Sequence, residues 1–355
     1  MHDLPKIDSI DIIILKTLLE ESRTSFTRIA KDCEITVAAV RKRYKRLWDA
    51  GVINGEIMQV NPACLGYNLV ADVGIISAIE DEKSISEFLL TLPSVITIHP
   101  RGFGKYNLGV TIALTSVDML SGLVERIEKN PLVNHADTLV WVEASNIDYT
   151  RNLVIKPTKG RIKQLKRKTS LKTFNQKTQL DTLDKHILQI LMQNSRTAFS
   201  QIARETDTST INVIRRYKAL RGNVLTISSI TVDLRKFGYK AMMHLFLKVK
   251  DRNRVPEVHA KIVQIPNLLV TIQLVGHYDL RAIVPITDFE DAFKLTDTIR
   301  AVHGVAKIEF FLIPIFWMWP LNVFEVLIDP KRRRELLKFP LPADNRTLLI
   351  KPTLK

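Results

Sequence analysis

The apolar positions near the start of the chain follow a helical period. Ile14, Leu15 and Leu18 form an i, i+1, i+4 stripe behind Asp8 and Asp11, whose carboxylates suit the positive end of a helix dipole. Ser22 to Thr24 interrupts the pattern, and Ser25 or Thr24 can cap a second helix with Phe26, Ile29, Ala30 and Cys33 along one face. Glu34 to Thr36 reads as a short turn with Thr36 as the next N-cap. A third helix is predicted over Val37 to Asp49, with Val40, Tyr44 and Leu47 inward. Two short helices joined by a tight turn behind a supporting helix form a helix-turn-helix.

The period then changes. Leu69 to Ser77, Val95 to Ile98, Leu108 to Leu114 and Val133 to Val142 read as strands, and Lys83 to Leu92 and Asp118 to Asn130 as helices. That order, β-α-β-β-α-β, is ferredoxin-like. The whole pattern returns later. Ser22 to Ala30, "SRTSFTRIA", reappears at 195–203 as "SRTAFSQIA", and Val40, Arg43, Tyr44, Lys45 and Leu47 return as Val213, Arg216, Tyr217, Lys218 and Leu220. After one deletion, Gly66-Tyr67 matches Gly238-Tyr239, and Gly104, Tyr106 and Leu108 match Gly276, Tyr278 and Leu280. The chain is therefore an internal tandem. The fold class expected is α+β, with two winged helix-turn-helix domains and two ferredoxin-like domains in tandem. The expected bounds are 1–62 and 63–148 for the first unit, 149–179 for a linker, 180–235 and 236–314 for the second unit, and 315–355 for an extension.

From Tyr149 to Leu180 there is no acidic residue, while ten Lys and Arg residues occur between Arg151 and Lys177. Such a run reads as a solvated linker, with DNA-backbone contact as the functional alternative. An insertion around Lys331-Arg332-Arg333-Arg334 distinguishes the second unit. The apolar stretch at 310–328 is long enough to raise a membrane span, but Pro314, Pro320, Asn322 and Glu325 break it. It reads as a last strand followed by a buried or oligomerising segment.

Net charge sharpens the picture. At +15 over 355 residues, the chain suits a polyanionic partner. Cys33 and Cys64 share no metal-ligand spacing, so neither a disulfide framework nor a zinc site is expected, and a reducing cytoplasm fits. No secretory signal is expected at the N-terminus. There is no Walker loop, dinucleotide fingerprint or His-Glu-x-x-His, and the eight histidines do not cluster at ligand spacing. No catalytic residue, cofactor or metal is assigned.

The third helix carries the most telling chemistry. Val37, Ala38 and Arg41 at its N-terminal end are placed to enter a major groove, with Arg41 reaching guanine O6 and N7. Lys42, Lys45 and Arg46 lie near phosphates, which position without reading sequence. Ser25 and Thr36 complete the candidate DNA-binding set of the first head. In the second head the set is Ser209, Thr210, Ile211, Arg215, Arg216 and Lys218. Ile211 and Ile214 stand where the first head has Ala38 and Arg41, so the two heads are expected to read different half-sites, or the second to bind more weakly.

These residues carry a resemblance. Asp8-x-x-Asp11-x-x-Ile14-Leu15-x-x-Leu18, Ser22-Arg23-x-Ser25-x-x-x-Ile29-Ala30 and Val40-x-x-Arg43-x-x-x-Leu47-x-x-x-Gly51-Val52-Ile53 resemble the Lrp/AsnC family. The family's Gly-x-Tyr-Asp signature is similar to Gly104-Lys105-Tyr106-Asn107 and to Gly276-His277-Tyr278-Asp279. The resemblance implies a transcription regulator that presents two heads to double-stranded DNA. It also implies an amino-acid effector near Gly104, Tyr106, Asn107, Gly276, Tyr278 and Asp279, and larger homo-oligomers. Departures are Asn107 in place of the acid and Gly222-Asn223-Val224-Leu225 where the first head has Gly-Val-Ile. The chain is expected to act as an intramolecular pseudo-dimer, with no membrane partner. Two alternatives compete: a siroheme-decarboxylase-like tetrapyrrole enzyme, with His99 and Arg101 near Tyr106 as its hint, and a nonspecific chromatin-organising protein.

Overall fold

The structure is a computed structural model, and it describes residues 6–100, 105–142, 148–149, 153–155, 179–221, 224–315, 317–328 and 337. The first head comprises α1 (Ser9–Glu20), α2 (Phe26–Cys33) and α3 (Val37–Asp49). Strand β1 (Ile53–Val60) leads to the first module: β2 (Leu69–Ser77), α4 (Glu82–Leu90), β3 (Val95–Pro100), β4 (Leu108–Leu114), α5 (Asp118–Glu128) and β5 (Val133–Trp141). A two-residue strand, β6 (Asp148–Tyr149), follows. The second head is α6 (Thr182–Gln193), α7 (Phe199–Glu205) and α8 (Thr210–Leu220), and β7 (Leu225–Val232) follows it. The second module is β8 (Ala241–Val249), α9 (Val255–Ile262), β9 (Val270–Val275), β10 (Leu280–Ile286), α10 (Phe289–Arg300) and β11 (Val305–Pro314), with α11 (Glu325–Ile328) beyond. This is the expected α+β class, a pair of winged helix-turn-helix heads and a pair of ferredoxin-like modules.

Capping chemistry explains the head helices. The Asp8 side chain accepts from the Asp11 backbone N–H at 2.9 Å and the Asp11 side chain from that of Asp8 at 3.1 Å, a capping box that Asp181 and Asp184 repeat on α6. Thr36 Oγ1 caps α3 and Ser209 Oγ caps α8, each at 3.1 Å from the third helical N–H. Between α2 and α3, Glu34 turns the chain in the left-handed region at φ 56°, and Asp207 does so in the second head at φ 48°.

The sequence pairs the two units through strands as well. The strand that follows α3, β1, pairs antiparallel with β7, from Ile53↔Val232 to Val60↔Leu225. The ribbon is reciprocal. Met58 and Val60 of β1 pack in the core of the second head, with Ile187, Leu191 and Val213. Ile230 and Val232 of β7 belong to the core that holds Ile14, Leu15 and Leu18 of the first head.

Each module forms an antiparallel sheet in ferredoxin order, β5-β2-β4-β3 and β11-β8-β10-β9. The sheets meet at an edge, where Val140 and Trp141 pair with Val275 and Leu274. They also meet face to face, which explains why every residue of β10 is buried. In β8, Met243, Leu245 and Leu247 point toward α9 and α10 while Met242 and Phe246 alternate toward the first module. Residues 317–328, beyond β11, are buried or half-buried and pack on the ribbon. Trp319 bridges Val232 through two backbone bonds of 2.7 and 2.9 Å, Asn322 Nδ2 donates to the Met58 carbonyl at 3.1 Å, and Phe324 is buried. Among the described residues no helix is long and apolar enough to cross a membrane. The basic linker charges from Arg151 and Lys156 to Lys177, and the cluster Lys331 to Arg334, lie outside the described residues.

Candidate nucleic-acid interface and effector groove

On α3 the inward stripe Val40, Tyr44 and Leu47 is buried, which leaves Ala38, Arg41, Lys42, Lys45 and Arg46 exposed. Thr36 is exposed beside them, and Val37 is half-buried. On α8 the exposed residues are Thr210, Ile211, Arg215 and Lys218, with Ser209 at the cap and Ile211 80% exposed. A bare isoleucine at the tip of α8 stands where α3 presents an alanine. Ser25 is exposed and caps α2, its Oγ accepting from the Arg28 N–H at 3.2 Å, whereas Ala198 leaves α7 without that bond.

Two of the predicted phosphate contacts also carry ion pairs within their own heads. Arg46 pairs with Asp11, and Arg216 Nη1 reaches Asp184 at 3.0 Å and pairs also with Asp181. The physical reason is the capping box, which places two carboxylates at one helix end and draws the nearest guanidinium. Arg43, the counterpart of Arg216, reaches Asp8 at 2.6 Å and Asp11 at 2.9 Å. Lys45 is tied to Asp49 at 2.8 Å, but both are exposed, so the pair is weak. Arg215 donates to Asn212 at 2.8 Å on an exposed face.

The heads are held together by the stretch that repeats most closely. Arg23 Nη1 donates to the Ser195 carbonyl at 2.5 Å and the Thr197 carbonyl at 3.0 Å. In return, Arg196 Nη1 donates to the carbonyls of Ser22 and of Thr24, the latter at 3.2 Å. Each guanidinium also covers aromatic rings of the other head, Arg23 over Phe199 at 4.2 Å and Arg196 over Phe26 at 4.6 Å. Between them Ser22 Oγ and Ser195 Oγ, both fully buried, lie 2.7 Å apart. Beneath this clasp Glu56 bonds Tyr44, and burial pushes its carboxyl pKa up against the pull of Tyr44 and Arg196. The signal in the sequence was the reciprocal retention of Ser-Arg-Thr, read there only as a turn and cap.

The expected effector residues divide into two sets. Tyr106 and Tyr278 line one groove of about 310 Å³ between the modules, with Lys105, Phe246, Glu309 and Phe311. Asn107 and Asp279 do not line it; they pin strand ends inside their own modules. Asn107 Oδ1 accepts from the Ser77 N–H at 2.9 Å, and Asp279 Oδ2 from the Val249 N–H at 2.9 Å. Beyond that shared role they differ: Asn107 Nδ2 donates to Ser77 Oγ at 2.9 Å and Glu82 Oε1 at 3.0 Å, whereas the Asp279 carboxylate pairs with Lys248 and Arg252 at 3.2 Å each. Gly276 packs against β5, where an added Cβ would lie 3.0 Å from the Thr138 carbonyl. Gly104 lies outside the described residues, as do Arg101 and the Gly222-Asn223 pair.

Asp137 sits at the mouth of the groove, where Lys105 Nζ approaches it at 2.6 Å and Tyr106 OH donates to it at 2.7 Å. Burial alone would raise its pKa, but Lys105, Tyr106 and His135 hold the carboxyl at about 2. Burial and the neighbouring carboxylates push the hydroxyls of Tyr106 and Tyr278 well up. Deeper lies a cavity of about 30 Å³ bordered by Asp72, His99, Tyr106 and Arg281, the size of a single water. Burial holds His99 at about 4 and His244 well below 6.5, so both imidazoles are neutral at pH 7. Among the described residues no group of His, Cys, Asp and Glu can hold a metal ion.

Comparison with known proteins fits this arrangement. Residues 180–221 match the AsnC-type helix-turn-helix domain and residues 7–54 a winged helix-turn-helix DNA-binding model. The HTH-type transcriptional regulator LrpA of Pyrococcus horikoshii is 43% identical over 83 residues, 23% of this chain and 59% of that protein. The chain thus spans somewhat under two thirds of that relative's length. Regulatory protein AsnC of Escherichia coli K12 is 26% identical over 140 residues, 39% of this chain and 91% of its own. Among solved structures, the siroheme decarboxylase NirDL superposes with a TM-score of 0.61 at 17% identity, covering 93% of this chain and 98% of that one, a likeness of fold. Two matched heads, each followed by a βαββαβ module, make the chain similar to the Lrp/AsnC regulators, as a tandem of two units.

Proposed function

We propose that the chain is a DNA-binding transcription regulator that acts as a fused pseudo-dimer. The observation that carries this reading is the pair of exposed α3 and α8 faces on two heads clasped by Arg23 and Arg196. A fixed pair of heads suits two half-sites at a set spacing along the duplex. Arg41 supplies base reading in the first head. Lys42, Lys45, Arg215 and Lys218 neutralise phosphates, and the apolar Ile211 gives the second head a different or weaker preference.

Selection of bound sequences from a random DNA pool tests the proposal, with an asymmetric two-part site as the expected result. Uniform coverage in footprinting would instead favour a chromatin-organising role. The log–log salt slope of binding, about −0.9 per neutralised phosphate, measures the backbone share.

The groove between the modules supports modulation by a small effector. Its volume of about 310 Å³ is at the low end for ligand pockets, which suits an amino acid better than a macrocycle. A siroheme-decarboxylase-like role would demand an iron tetrapyrrole in this region, near His99 and Arg281. A Soret shift on adding an iron tetrapyrrole, without salt-sensitive DNA binding, would overturn the regulator reading.

A further inference from the structure

The faces that the two modules turn toward each other have diverged in opposite directions. At the offset of 172 residues, Asp72 corresponds to His244, Gly74 to Phe246, Gly109 to Arg281, Thr111 to Ile283 and Trp141 to Ile313. The strand registers agree, since Asp72 pairs with Thr111 as His244 pairs with Ile283, and Gly74 with Gly109 as Phe246 with Arg281. Arg281 crosses the interface, its Nη1 donating to Asp72 Oδ2 at 2.6 Å and its Nη2 lying 2.9 Å from His244 Nδ1. Both side chains of this ion pair are at least nine-tenths buried. The first module completes the acceptor site: Thr111 Oγ1 donates to Asp72 at 2.8 Å and Trp141 Nε1 at 3.0 Å. It also leaves room. Gly74 lets the Tyr106 ring lie flat on β2, where an added Cβ would stand 2.7 Å from the ring. On the other side Phe246 and Phe311 stack at 5.6 Å.

We propose that this interface is a heterotypic lock: the first module fits the second and rejects another copy of itself. Two first modules face to face would bury two Asp72 carboxylates with no cation, because each would meet Gly109 instead of Arg281. Two second modules would bury two Arg281 guanidiniums with no carboxylate and set Phe246 where Gly74 now leaves space. A buried charge without its partner is strongly unfavourable, so both self-pairings are rejected while the mixed pairing is satisfied. Any assembly of this chain then contains only mixed sandwiches, formed within one chain or reciprocally between two.

Full-length chains with symmetrised faces test the lock. Asp72→His with Gly109→Arg makes both faces basic, and His244→Asp with Arg281→Gly makes both faces acidic. Each variant alone is expected to lose roughly 6–20 °C in thermal midpoint. Exchanging all four residues between the modules is expected to restore most of that loss. Mixing the basic-faced and acidic-faced chains is expected to produce a 1:1 complex by native mass spectrometry at concentrations where neither pairs with itself. A symmetrised chain as stable as the unchanged one would overturn the proposal. So would an exchanged chain that recovers nothing, or a mixture that stays unpaired.

Discussion

The two contacts between the units teach opposite lessons. The clasp between the heads is close to self-complementary: Arg23 does to the second head what Arg196 does to the first, on matching carbonyls and matching aromatic rings. The contact between the sheets is not, because Arg281 and Asp72 have Gly109 and His244 as their counterparts. Fusion removes the requirement that both halves be identical, yet only one interface used that freedom. On the proposed function, heads that face a duplex with near two-fold symmetry retain a reason to be related by the same operation. Buried modules have none.

The sharpest way to break this comparison is Arg281→Met, which leaves the Asp72 carboxylate buried without its cation. It is expected to cost about 3–5 kcal/mol, while Asp72→Leu with Arg281→Met recovers most of that, as urea titrations would show. Acid gives a second test of the asymmetric interface. His99 is held at about 4 by burial, against an ordinary 6.5, so the unfolded chain takes up its proton first as pH falls. This stability is complete above about pH 6.5 and is lost between there and pH 4, an effect of about 3 kcal/mol. Burial depresses His244 in the same direction. His99→Asn should flatten that slope in melts across the range, and an unchanged slope would deny its burial.

For the clasp, Arg23→Ala and Arg196→Ala are each expected to cost about 1.5–3 kcal/mol and to cost the same, since their partners mirror one another. Markedly unequal losses would show that the heads have diverged as the modules have. On DNA the heads should separate: Arg41→Ala is expected to lose about 1–3 kcal/mol with relaxed sequence preference, measured by competition binding. Lys218→Ala should instead lower the salt slope by about 1 and leave preference intact. The smallest effect expected is from Ala198→Ser, which returns the absent cap of α7 and should stabilise by about 0.5–1 kcal/mol, with Ser25→Ala the reverse.

Much of this was legible from periodicity. The third helix was expected over Val37 to Asp49 and is found there, with Thr36 as its cap, because stripe and cap are both local signals. Both β-α-β-β-α-β orders were readable for the same reason. What escaped depends on residues far apart in sequence. Arg46 and Arg216 read as outward charges, and nothing periodic tells that each also pairs with a capping box on another helix. The pairing of the strand from Ile53 left no local signal because its partner, Val232, lies in the other unit. Arg281 and Asp72 did leave a trace, as charged residues inside apolar strands "LRAIV" and "VADVG". Only alignment of the two units shows that one charge answers the other.

The β1–β7 ribbon also has a consequence in time. The first head leaves the ribosome early, but Ile230 and Val232, which close its core, are made almost 180 residues after Ile53. At ordinary rates of synthesis that interval is on the order of 10–40 s. Through it the growing chain holds an unfinished apolar face on α1, and the second unit, once translated, completes the first.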